Sequence, residues 1–192
     1  MKTARVLITT ALLLTATSLC LQAQERELVT HLHLRGVIND FTPITTGTSP
    51  WELRGPWSLT LNRESATAKF WATLTMQSSD FGQTVTSVNA VDRAQHTHRI
   101  TMTTDTVIYN PTDCPPAPVH TPPYTARIEL TGTANIEANG SPAPFGPSPL
   151  QVCIAGGSNI EFSNITLVFT GASGATGHFG PQAIHGLVRK AE

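Results

Sequence analysis

Residues 124–137 read YTARIELTGTANIE, and their alternation decides the fold class. Tyr124, Ala126, Ile128, Leu130, Gly132, Ala134 and Ile136 take every second place. Thr125, Arg127, Glu129, Thr131, Thr133, Asn135 and Glu137 take the places between. Side chains along a β-strand point to opposite faces in turn, so this spacing predicts a long half-buried strand with the first set inward. The same period runs through Ala68, Phe70, Ala72, Leu74 and Met76, with Thr67, Lys69, Trp71, Thr73 and Thr75 facing out. Just upstream, Trp57, Leu59 and Leu61 alternate with Ser58, Thr60 and Asn62, and the break Asn62-Arg63-Glu64-Ser65 joins the two runs as a hairpin.

Weaker runs complete the pattern. Leu32 and Leu34 alternate with His31, His33 and Arg35, and His98, Ile100 and Met102 alternate with Arg99, Thr101 and Thr103. Leu150, Val152 and Ile154 alternate with Gln151 and Cys153. Ile160 and Phe162 then give way to Ile165, Leu167 and Phe169, a phase slip near Asn164 that predicts a β-bulge. Residues 182–190 form a last short strand. This makes about eight strands, with Ser87–Gln95 the one short stretch that suits a helix. Pro- and Gly-rich loops separate the strands, among them 39–50, 110–123, 139–149 and 171–181. The expected fold is all-β, either an antiparallel barrel or a sandwich of about eight strands. Small residues on the inner face (Ala68, Ala72, Ala126, Gly132, Ala134) favour a curved sheet that closes on itself.

Composition narrows the function classes. The 192 residues are 40% hydrophobic and only 13% charged, enough apolar material for a core and too little charge for a disordered chain. A formal net charge of −1 lacks the Lys/Arg surplus that nucleic acid requires, so no nucleic-acid partner is expected.

The first 23 residues read as a signal peptide: Lys2 and Arg5 are basic, 6–21 is apolar, and Leu21-Gln22-Ala23 suits signal peptidase. Residues 24–192 then form a single β domain. Its apolar leader is too short and too Thr-rich to stay as an anchor, so no membrane span is expected after processing. The expected location is periplasmic or secreted. Processing leaves Cys114 and Cys153, and a lone pair of cysteines in an exported domain most often forms a disulfide. That bridge closes a segment of about 40 residues, worth roughly 4 kcal/mol in the chain-entropy model.

Chemistry-bearing residues are few. Two H-x-H pairs stand out, His31-Leu32-His33 and His96-Thr97-His98. Spacing of two on a strand puts both imidazoles of a pair on one face, so each pair can supply two metal ligands. His31 and His33 are out of phase with Leu32 and Leu34 and face solvent. His98 is in phase with Ile100 and Met102 and points inward, with His96 beside it toward the rim. Hence the two pairs do not combine into one four-ligand site. The second pair lacks the Glu that follows in a cupin motif, since Met102 and Thr103 stand near that place. The first resembles the H-x-H stretch of copper-zinc superoxide dismutase, but the next histidine is 63 residues on, at His96. No G-x-S-x-G elbow is present, and Gly171-Ala172-Ser173-Gly174-Ala175 breaks at its last position. Nothing in the spacing marks an enzyme.

Several segments resemble a family of exported bacterial all-β proteins of the Acidobacteria type. They are Gly36–Pro43 (GVINDFTP), Gly55–Leu59 (GPWSL), His96–His98, Leu150–Cys153 (LQVC), Phe162–Phe169 (FSNITLVF) and His178–Arg189 (HFGPQAIHGLVR). The resemblance implies a periplasmic or secreted β protein and implies no activity. In size and strand count the chain is also similar to lipocalin-like and allene-oxide-cyclase-like barrels, an analogy of fold alone.

Three functions follow from these observations. A continuous apolar inner face suits a barrel that binds a small apolar or amphipathic ligand, with His96 and His98 as its polar fixing point, or a structural envelope protein. The alternative is a zinc- or copper-binding protein or metal-dependent enzyme using His96 and His98, joined by His178 from the Gly-rich loop. Thr-rich outer faces suggest an adhesion or interaction module.

Overall fold

The computed structural model describes residues 30–42, 50–78, 95–111, 125–156 and 160–192. Ten strands form one antiparallel sheet: β1 (His31–Phe41), β2 (Trp51–Asn62), β3 (Thr67–Ser78), β4 (His96–Thr104), β5 (Val107–Tyr109), β6 (Thr125–Ala138), β7 (Ser141–Pro142), β8 (Ser148–Gly156), β9 (Asn164–Phe169) and β10 (Ile184–Ala191). Each long strand pairs with the next long strand in the chain, β4 pairs with β6, and β10 returns to β1. Eight strands therefore close an up-and-down barrel, and closure removes the sheet edges that an open sandwich would leave. The two short strands are additions. β5 prolongs the line of β4 along Ile128–Leu130, while β7 turns back on the end of β6.

The alternation in the sequence is what puts the core inside. Leu34, Leu59, Leu61, Ala72, Leu74, Ile100, Leu130, Ala134 and Val152 all have 0% accessible surface, so no water-sized void lies against any of them. An eight-stranded barrel is narrow enough for side chains to fill, and around these residues they do. Trp57 adds the largest group, at 1% exposure, and its Nε1 donates to the Leu187 carbonyl at 3.3 Å. Gly36 makes room for that contact: a Cβ there would stand 1.8 Å from the Leu187 oxygen and 2.7 Å from Trp57 Nε1. The same point carries the register shift between β1 and β10, at Arg35/Gly36.

Turn chemistry sets the hairpins. Asn62 Oδ1 accepts from the amides of Glu64 (3.0 Å) and Ser65 (3.1 Å), which folds the β2–β3 turn. Asn139 and Gly140 both have positive φ (49° and 79°), the Asn-Gly conformation of a tight hairpin between β6 and β7.

Three expectations change. Ile160–Phe162 is a 3-10 turn, not a strand entering a bulge, and the Ser163 amide donates to the Ile160 carbonyl at 3.0 Å just before β9. The register of β6 against β8 shifts between Ala126 and Ile128, so the regular run begins only at Ile128. The Gly-rich stretch expected to be an irregular loop contains a helix, α1 (Gly174–Phe179). Ser173 caps it by accepting from the Thr176 amide, Gly180 ends it at φ 93°, and Ala175 and Phe179 bury one face. A six-residue helix has little stability of its own, so packing on the barrel holds it. Tyr124, Cys114 and the stretch 87–94 lie outside the described residues.

The strand phase is directly testable. Leu130→Ala should cost about 2–5 kcal/mol, because Leu130 is fully enclosed. Its neighbour Thr131 faces outward, and Thr131→Ala should change stability by no more than about 0.5 kcal/mol. Urea unfolding of both variants reads the difference; equal losses would overturn the assignment of faces.

Candidate metal centre

One mouth of the barrel collects three histidines. β4 opens with His96 and His98, which share the inner face because they are two apart. In register, Leu74 and Ala138 flank His98, and Met76 stands beside His96. The third histidine, His178, comes from α1. Helical geometry puts it one residue before Phe179, whose ring plugs the mouth at 0% exposure. Gly174 lets the helix sit close: a Cβ there would come within 2.1 Å of Phe145 Cβ.

The ring nitrogens converge. His178 Nε2 lies 2.9 Å from His98 Nε2 and 3.2 Å from His96 Nε2. Ligand atoms of all three lie within 4.8 Å of one another. Aromatic rings wall the group. Trp51 meets His96 edge-on at 5.1 Å, Phe179 meets His98 at 5.0 Å, and Phe145 lies 5.5 Å from His178. Phe169 stacks behind Phe179 at 4.9 Å. Burial is graded: His98 is buried, His96 half-buried and His178 exposed.

The tautomer of His98 follows from its partner. Its Nδ1 lies 3.2 Å from the Glu137 carbonyl, which can only accept, so Nδ1 carries the hydrogen and Nε2 is bare. This is the outer hydrogen bond that orients a metal-ligating imidazole. It also restricts the neighbours. In every neutral state that keeps the Glu137 bond, one of the two contacts to His178 is half of a shared hydrogen, two facing hydrogens or two facing lone pairs. One cation among the three nitrogens uses every lone pair at once. Two nitrogens on one tetrahedral zinc, each about 2.0–2.1 Å from it, stand about 3.3 Å apart. The two His178 separations, 2.9 and 3.2 Å, are near that spacing, whereas the group as a whole spans up to 4.8 Å and must draw together for all three nitrogens to share one ion.

Electrostatics disfavour the charged forms of His98 and His178. The His98 pKa is held down to about 4, first by burial and then by repulsion from His178 and His96, with the Glu137 carbonyl pulling the other way. His178 is also lowered, by burial and by His96. For His98 the folded value lies below the ordinary 6.5, so the unfolded chain takes up the proton first on acidification. Metal-free protein should therefore lose stability as pH falls from about 6.5 towards 4, and level off below. NMR of the labelled histidines should show His98 titrating near 4; an inflection near 6.5 would contradict the burial argument.

The other described histidines stay apart. His33 Nδ1 contacts Thr60 Oγ1 at 3.1 Å and His31 Nε2 contacts Asn62 Nδ2 at 3.4 Å, both at the far end of the barrel. His185 Nδ1 binds Asp40 Oδ2 at 2.7 Å. The structure turns His98 inward, leaves His96 half-buried at the start of β4 and brings His178 against both. Trp51, Phe145 and Phe179 were not legible as site residues, although Ser173-x-x-Thr176 before Gly180 is a capping pattern that marks the helix.

Fold and cluster together define the class: a closed antiparallel barrel with three convergent histidines at one mouth. The chain matches no protein-family model, and no curated protein or solved structure is similar to it at a significant level.

Proposed function

We propose that this is an exported barrel protein that binds a divalent transition metal, zinc or copper, through His96, His98 and His178. The observation that carries the reading is the double approach of His178 Nε2 to two other Nε2 atoms, one of them fixed as a bare acceptor. Three imidazoles with a further position open suit a reactive centre better than a closed structural one, which would have four protein ligands. The test is metal analysis of protein purified without a histidine tag, compared with a His96→Ala/His98→Ala double variant. About one metal per chain in the wild type and none in the variant is expected; near-zero metal in both, after incubation with zinc or copper, would overturn the proposal.

The packed interior bears on the rival reading of a small apolar or amphipathic ligand. Such a ligand meets the barrel at a mouth, not along its axis. At the end opposite the histidines, Arg63, Tyr109, Asn110, Ile128 and Ile160 line a hollow of about 350 Å³, within the size range of ligand pockets. Arg63 lies over the Tyr109 ring there, 5.7 Å from its centre. Binding of a fluorescent fatty acid, abolished by Arg63→Glu at the exposed edge of the hollow, would favour this second reading.

Export and the family resemblance enter the proposal through the leader at 1–23 and the quoted segments. With them comes a Cys114–Cys153 bridge. Cys153 is buried on β8, and Cys114 lies outside the described residues. Thiol titration of unfolded, unreduced protein should find no free thiol in the mature chain; two reactive thiols would refute the bridge. Among the described residues no helix is long and apolar enough to cross a membrane.

A further inference from the structure

We infer that the open position of this centre takes the carboxylate of a small ligand with an aromatic or apolar body. The inference rests on the metal reading above and names the ligand class of that same site.

Charge is the first argument. Among the described residues, the group that can hold a metal consists of three imidazoles, with no carboxylate or thiolate. Neutral imidazoles leave a divalent ion with its full charge of +2, in a site whose deepest ligand is 1% exposed. The nearby described carboxylates are engaged elsewhere: Asp40 binds His185, and Glu52 pairs with Arg54. Glu137 offers the site only its backbone carbonyl. An uncompensated double charge beside apolar walls draws an anion, since the ion is the largest local charge and the surroundings screen it poorly.

Shape is the second argument. Phe179 and His98 close the deep side, and the exposed ligand is His178. An incoming group therefore arrives on the solvent side, between the ring of Trp51 beside His96 and that of Phe145 beside His178. Both rings are half-buried, so each keeps an uncovered part for a ligand to contact. A carboxylate supplies the donor oxygen, and an attached ring gains the edge-on or offset contacts that aromatic pairs prefer.

Cobalt(II) is the probe, because its visible spectrum reports both binding and coordination number. The full mature protein is loaded with cobalt and titrated with benzoate, acetate and benzamide. Benzoate and acetate should each change the cobalt spectrum, benzoate about 2- to 10-fold more tightly, the factor expected from aromatic contact. Benzamide, with the ring but no charge, should leave the spectrum unchanged. In the Phe145→Ala variant, loaded with cobalt to the same occupancy as the wild type, benzoate should fall to the affinity of acetate. Bound cobalt whose spectrum ignores both anions means a protein donor fills the position, which overturns the inference and leaves the metal centre standing. Equal affinity for benzoate and acetate, unmoved by Phe145→Ala, overturns the aromatic part. Failure to bind cobalt at all overturns the metal reading, and the inference falls with it.

Discussion

Zinc at a hundred to a thousand times its dissociation constant should stabilise the protein by about 2.7–4.1 kcal/mol, the gain when a ligand binds only the folded state. For a chain of this size that is a rise in melting temperature of roughly 5–16 °C. The ligands come from two separate elements. His96 and His98 belong to a barrel strand, whereas His178 rides on a six-residue helix held by packing. A metal joining them clamps the helix to the mouth. His178→Ala is the informative variant, since His178 is the exposed member and its loss leaves the core intact. Its metal-free melting temperature should stay near that of the wild type, while most of the zinc-induced rise disappears. Affinity should fall by at least about 100-fold, since even outer partners of metal ligands are worth 10–100-fold. An equal zinc shift in wild type and His178→Ala, by calorimetry with a chelator control, would remove His178 from the centre.

Phe179→Ala should cost about 3–5 kcal/mol, the usual loss for emptying a buried aromatic site. Phe179 is fully enclosed, stacks on Phe169 at 4.9 Å and meets the edge of His98 at 5.0 Å. Truncation opens a cavity at the mouth and frees the helix that carries His178, so zinc affinity should fall together with stability. Phe179→Leu keeps an apolar plug and should lose less of both. Guanidinium unfolding with a parallel zinc titration checks the coupling. A destabilised Phe179→Ala protein that binds zinc as tightly as the wild type would show that α1 is not what positions His178.

The strands were legible because a barrel wall has two unlike sides. Leu130 meets only other side chains and Thr131 lies outward, so solvent itself writes the period of two into the chain. His98 inherits its direction from the same rule, in step with Ile100 and Met102. The helix escaped notice because Gly174–Phe179 is too short to display a helical period and contains two glycines. Its evidence is confined to a capping serine and a terminal glycine.

Residue order alone therefore sufficed for the all-β class, the strand phases and the inward turn of His98, all consequences of neighbours one or two places apart. Whether the sheet closed or stacked was not local: it depended on β10 meeting β1 and β4 meeting β6, pairings between distant segments. The histidine cluster is of the same kind. His178 stands 80 residues from His98, and no periodicity relates them. Only the closed barrel, with Phe179 drawn into its mouth by burial, brings that third nitrogen within 3.2 Å of the other two.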